Sequence, residues 1–108
     1  MNLLQQRFTQ NLCDREKRRK EVRARLQSAL TELAPGERVY LYGSITRPQD
    51  FTRRSDVDLA FLEEPRRFSR YRLQVMLEEA IGCPVDLSIL HETRLRMKIQ
   101  RDGELWIG

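Results

Sequence analysis

The sequence predicts a small α/β domain of the α+β kind, a mixed sheet with helices packed on it and a long N-terminal helix. Three observations predict it. Residues Leu3 to Leu33 contain no Pro or Gly and carry apolar residues at helical spacing. Three later apolar runs have strand length and are bounded by Gly, Pro or charged clusters. A helix-length segment separates the last two runs, a crossover long enough to leave those strands parallel and near each other.

The first helix is marked by Leu4, Phe8, Leu12, Val22, Leu26, Leu30 and Leu33. Continued through its middle, the same stripe lands on Arg15 and Arg19, where a buried face would want apolar groups. Two readings of this middle stand open. In one it is a solvated stretch whose stems pack while its charges point outward. In the other the basic patch meets an anion: a nucleotide phosphate, RNA or an acidic partner surface. Pro35-Gly36 ends the helix, so residues 1–34 form an N-terminal helical segment within a single domain of 108 residues.

Val39 to Tyr42 make the first strand, apolar on both faces as a strand covered on two sides would be. Gly43-Ser44 closes it, and an Arg, Pro, Asp and Thr-rich loop runs to Ser55. The second strand runs from about Asp56 to Leu62, ended by Glu63, Glu64 and Pro65. A second helix has Ser69 as N-cap, Phe68 and Leu73 as a staple, Met76, Leu77, Ala80 and Ile81 on its core face, and Gly82 as its stop. A third strand, Val85 to Leu90, carries Asp86. A last helix is expected from about Thr93 to Arg101, with Leu95 and Ile99 on one face, and Leu105, Trp106 and Ile107 as a docked apolar tail.

Charge narrows the function classes. Between Asp14 and Arg25 there are seven basic and three acidic residues, which accounts for the whole net charge of +4. The remainder is formally neutral, which excludes a uniformly basic nucleic-acid-coating protein. No apolar run approaches the roughly 20 residues that span a bilayer, and the N-terminus lacks a signal peptide's apolar core, so a cytoplasmic location is expected. Cys13 and Cys83, with His91 the single histidine, do not make a zinc set and are expected to be reduced structural thiols.

The chemistry lies in the carboxylates. Residues two apart in a strand point to one face about 6.5 Å apart, so Asp56 and Asp58 would present both carboxylates together. Asp86, near the start of the adjacent strand, would come alongside them. Oxygen ligands on neighbouring strands suit Mg²⁺, and two such ions can activate a hydroxyl and stabilise a leaving pyrophosphate. Gly43 has no Cβ, so backbone N–H groups there can approach a phosphate, and Ser44 adds a hydroxyl and is expected to cap the turn that follows.

With LYGS at Leu41 to Ser44, SDVDL at Ser55 to Leu59 and the later Asp86 in PVDLSIL, the chain resembles the minimal nucleotidyltransferases of the DNA polymerase beta superfamily. The closing IQRDGELWIG is also similar to the family's last helix, Gly and apolar-aromatic tail. The resemblance covers essentially the whole chain after about residue 30. It implies the polymerase-beta-like fold, an ATP or other nucleoside triphosphate gripped through Gly43 and Ser44, two Mg²⁺ ions on Asp56 and Asp58, and Asp86 sharing a metal or acting as base. Arg47 matches a basic position that often follows the Gly-Ser and is expected to bind phosphate.

Two departures stand out: Pro48 occupies a position where the family commonly has Gly, and eleven residues rather than ten separate Ser44 from Asp56. Small family members lack an acceptor-binding domain and are often antitoxins that transfer AMP to a tyrosine of a helical HEPN-type RNase toxin. The resemblance therefore implies such a transferase with a protein partner. The alternative is a catalytically degenerate module that binds or neutralises its partner by occlusion. RNA binding through the basic helix and an oligomer are weaker expectations, and nothing forms an acceptor pocket for a small drug molecule.

Overall fold

The computed structural model describes residues 2–108. Its elements are α1 (Leu3–Leu33), β1 (Arg38–Tyr42), β2 (Val57–Phe61), α2 (Arg70–Ile81), β3 (Val85–Ile89), α3 (Arg96–Asp102) and β4 (Glu104–Ile107), with 3₁₀ turns at Gly43–Thr46 and Leu90–Glu92. The sheet order is β3-β2-β1-β4. β1 lies antiparallel to both β2 and β4, while β2 and β3 are parallel, as the intervening helical crossover requires.

The long first helix has the expected bounds. The Asn2 side chain accepts from the Gln5 backbone N–H and the Gln5 side chain returns the bond, a reciprocal cap that fixes where α1 begins. Ser69 caps α2 through the Arg72 N–H, and Gly82 closes that helix in the left-handed conformation. Both helices cover one face of the sheet. Val22, Leu26 and Leu30 of α1 join Leu73, Leu77 and Ile81 of α2 over Val39, Leu41, Val57, Leu59, Phe61 and Ile89. The opposite face is thinly covered: Ala60, Leu90 and Ile99 form a small cluster with Tyr40, Tyr42 and Leu62. The strand alternation that sends Leu59 and Phe61 to the helices therefore sends Asp58 and Ala60 to this second face.

Four sequence expectations are corrected. The C-terminal tail is not a docked segment but a fourth strand, with Trp106 paired to Val39 and packed on the main core while Leu105 and Ile107 are exposed. Gly103 makes this pairing reachable, since a Cβ there would lie 2.6 Å from the Ile99 carbonyl oxygen and 3.0 Å from that of Leu41. The last helix begins at Arg96 rather than Thr93, because the Thr93 hydroxyl takes the Leu95 N–H in a local turn. Leu95 is consequently 48% exposed, and Ile99 alone of the expected pair reaches the core. β2 begins at Val57, whose N–H bonds to the Pro84 carbonyl, so Asp56 stands just outside the ladder.

Both cysteines are free: Cys83 is buried, with burial pushing its thiol pKa up, and Cys13 is exposed on α1. Among the described residues no helix is long and apolar enough to cross a membrane.

Candidate active site

The parallel pairing of β2 with β3 sets Asp58 directly opposite Asp86. Neighbouring strands run about 4.8 Å apart, so two carboxylates project side by side from one face. On its other flank Asp58 is paired with Tyr42 of β1. Tyr42, Asp58 and Asp86 thus form one row across three strands. Asp56 is not in that row: it is exposed, precedes β2, and acts on Asp58 through its charge. Among the described residues no three Asp, Glu, His or Cys side chains close around one point, so the expected triad is a strand-borne pair with its third member set to one side.

The corner after β1 is built against the central carboxylate. Gly43 has φ +78, a conformation L side chains rarely adopt, and a Cβ placed there would collide with the Asp58 Oδ2. The missing side chain is therefore space that the Asp58 carboxylate occupies. Ser44 does not cap the 3₁₀ turn: its cap position is Tyr42, with no side-chain bond, and the Thr46 hydroxyl instead donates to the Gly43 carbonyl. Arg47 is exposed and its Nε donates to Asp50 at 2.7 Å. Gln49, beside Pro48, takes a left-handed conformation at φ 68.

Charge at the row is uncompensated. Burial first, then the neighbouring Asp86 and Asp56, push the Asp58 carboxyl up to about 6. Burial pushes the pKa of the Tyr42 hydroxyl up, and the neighbouring Asp58 and Asp86 raise it further. A divalent cation bound among these oxygens would remove the repulsion, and an all-oxygen donor set is the chemistry Mg²⁺ accepts. Asp58 and Asp86 supply carboxylate oxygens of that kind, and the absent side chain of Gly43 leaves the Asp58 carboxylate its place in the row.

The basic middle of α1 turned out to be structural in part. Arg19 is buried, its Nε donating to the Ile45 carbonyl at 2.8 Å and its guanidinium to Glu16 at 2.7 Å. Glu16 in turn accepts the Gln49 N–H at 3.0 Å, and Arg23 reaches the Ile45 carbonyl while pairing with both Glu104 oxygens. Arg23 also lies 5.2 Å from the Trp106 ring. One row of α1 thereby holds the loop after Gly43-Ser44 and the last strand. The signal was present in the stripe that landed on Arg19, a buried position filled by a residue that finds partners. Tyr42 went unsingled because its relation to Asp58 depends on strand register.

The Polymerase beta, Nucleotidyltransferase family profile matches residues 16–107. The chain belongs to this family. That membership accords with the fold of three helices on a four-stranded mixed sheet. The nucleotidyltransferase domain is also similar to a solved structure described as a toxin-antitoxin with AMP-PNP, with 25% sequence identity, a TM-score of 0.57, and coverage of 77% of this chain and 71% of that one. A search of curated protein sequences returns no match.

Proposed function

We propose that the chain is a Mg²⁺-dependent nucleotidyltransferase that transfers AMP from ATP to a hydroxyl of a partner protein, as the antitoxin of a pair whose toxin is a HEPN-type RNase. The observation that carries this reading is Asp58, set beside Asp86 by strand register and backed by a glycine whose side-chain space it fills, in a member of the nucleotidyltransferase family. The similar toxin-antitoxin structure supports a protein partner for this chain as well.

In this reading Asp56 and Asp58 would hold the metal, with Asp86 sharing it or serving as the base, and the ion when bound would supply positive charge to the phosphoryl oxygens and the attacking hydroxyl. Gly43 and Ser44 grip the triphosphate through backbone N–H groups and a hydroxyl. Asp86, exposed at the edge of the row, accepts the proton as the acceptor oxygen bonds to the α-phosphorus. The bond from the α-phosphorus to the bridging oxygen then breaks, and pyrophosphate leaves. Arg19 and Glu16 keep the loop after Gly43 in place from below.

A second reading has a specific observation behind it. Arg47 is engaged by Asp50, and the loop carries Pro48 and a left-handed Gln49, which suits a module that binds its partner without turning over nucleotide. Calorimetric titration with ATP separates the two. The transferase shows Mg²⁺-dependent heat that Asp58→Asn removes, whereas the occluding module shows no such heat in either protein.

A further inference from the structure

The apolar stripe of α1 does not stop where the body stops. Arg19, Val22, Leu26 and Leu30 are buried on it, and the same spacing continues outward through Arg15, Leu12, Phe8 and Leu4. Residues 2–11 are all exposed, with Leu3 71%, Leu4 76% and Phe8 65% accessible. At 1.5 Å per residue the 31-residue helix is about 46 Å long. That nearly matches the molecule's longest extent of 52 Å, so the N-terminal third of α1 projects as an arm. Its Leu4, Phe8 and Leu12 are spaced as the anchors of a helix that lies in an apolar groove. A helix this short without a tertiary face is marginal in water, so a covering surface is what the arm lacks.

Beside the root of the arm lies a groove of about 790 Å³ between α1 and the loop before Asp56. Arg15, Lys17, Arg18, Arg53 and Arg54 line it against two carboxylates. Arg18 stacks 6.0 Å from the Phe51 ring, and its buried Nε has no hydrogen-bond partner among the described residues. The Nε is closed off from the surface, so an incoming carboxylate would meet the outer guanidinium nitrogens of the arginines that line the groove.

We infer that the projecting arm and this basic groove together form a docking surface for a different protein, one that presents an apolar groove for Leu4, Phe8 and Leu12 rimmed by Asp and Glu side chains. Charge selects this occupant. Residues 2–13 contain no acidic residue, and Arg7 is their one charge, so the arm of a second copy would bring no carboxylate to the groove. Single-stranded RNA is disfavoured because no exposed aromatic lines the groove for base stacking, and RNA has no use for the apolar arm. The loop whose Arg53 and Arg54 line the groove leads two residues later into Asp56. The inference rests on the partner-modifying reading above and names the surface that reading leaves open.

The test uses the full chain and the product of its adjacent reading frame, co-expressed and then titrated by biolayer interferometry. Leu4→Ser with Phe8→Ser, both exposed, should weaken the complex at least tenfold while leaving ATP binding and helical circular dichroism unchanged. Arg15→Glu with Arg53→Glu should weaken it similarly and flatten its salt dependence. Asp58→Asn should bind the partner as tightly as wild type. A complex that survives both double variants overturns the inference and leaves the partner reading standing. Absence of any complex with the wild-type chain overturns the partner reading and this inference with it. Two further results overturn the inference alone: sedimentation showing a homodimer that the arm variant loses, or tight binding of an RNA 20-mer lost only in the Arg15 and Arg53 variant.

Discussion

Replacing Asp58 by Asn should make the metal-free protein more stable, and only at neutral or alkaline pH. The folded-state carboxyl titrates at about 6, against 3.8 for an unperturbed aspartate. At 1.36 kcal/mol per pH unit this difference is about 3 kcal/mol. Because Asp58 is only half-buried, solvent screening reduces it to about 1–2 kcal/mol. The folded value lies above the unfolded one, so this contribution to stability is fully present below about pH 4 and is lost as pH rises through about 6. Asn carries no charge to lose.

The variant should therefore match wild type near pH 4 and exceed it by about 1–2 kcal/mol at pH 8. For a chain of this size that is a Tm gain of about 5–10 °C. Thermal unfolding followed by circular dichroism in EDTA, at several pH values, measures it. Adding Mg²⁺ at pH 8 should then raise the Tm of wild type and not of the variant. A stability difference that is the same at pH 4 and pH 8, or a variant less stable than wild type at pH 8, would refute the claim that uncompensated carboxylates strain this site.

Three other outcomes follow from the same structure. Gly43→Ala must hold an L residue at a left-handed position and push the Asp58 carboxylate aside, so it should lose at least about 1–2 kcal/mol in urea unfolding and abolish Mg²⁺-dependent stabilisation. Arg19→Ala leaves the Ile45 carbonyl with Arg23 alone and Glu16 without its cation, a cost of about 1–3 kcal/mol, and hydrogen exchange should accelerate at residues 45–49. Ser69→Ala removes the cap of α2 and should cost about 1 kcal/mol without changing nucleotide binding.

How much of this was legible in the sequence depends on whether a feature is local. α1 runs from Leu3 to Leu33 and α2 from Arg70 to Ile81, between its caps Ser69 and Gly82, as the periodicity and cap residues indicate, because these signals sit within or beside the helices themselves. The adjacency of Asp58 and Asp86 was readable too, since a helical crossover leaves few other places for the second strand. β4 was not readable: four residues alternating in burial become a strand only by pairing with β1, sixty-odd positions earlier in the chain. Asp56 falls outside β2 because the ladder begins at the Pro84 carbonyl, a contact no spacing rule contains. Arg19 shows the reverse case, where the periodicity correctly marked a buried position and only the partners Ile45 and Glu16 were out of sight.

The central claim is that the carboxylate row drives transfer of a nucleotide. It is tested most directly by incubating the chain with Mg²⁺, the product of the adjacent reading frame and ATP labelled at the α-phosphorus. Label should appear on the partner protein and be absent both without Mg²⁺ and with Asp58→Asn, although that variant still binds the partner. Label transferred equally by wild type and Asp58→Asn would contradict the claim.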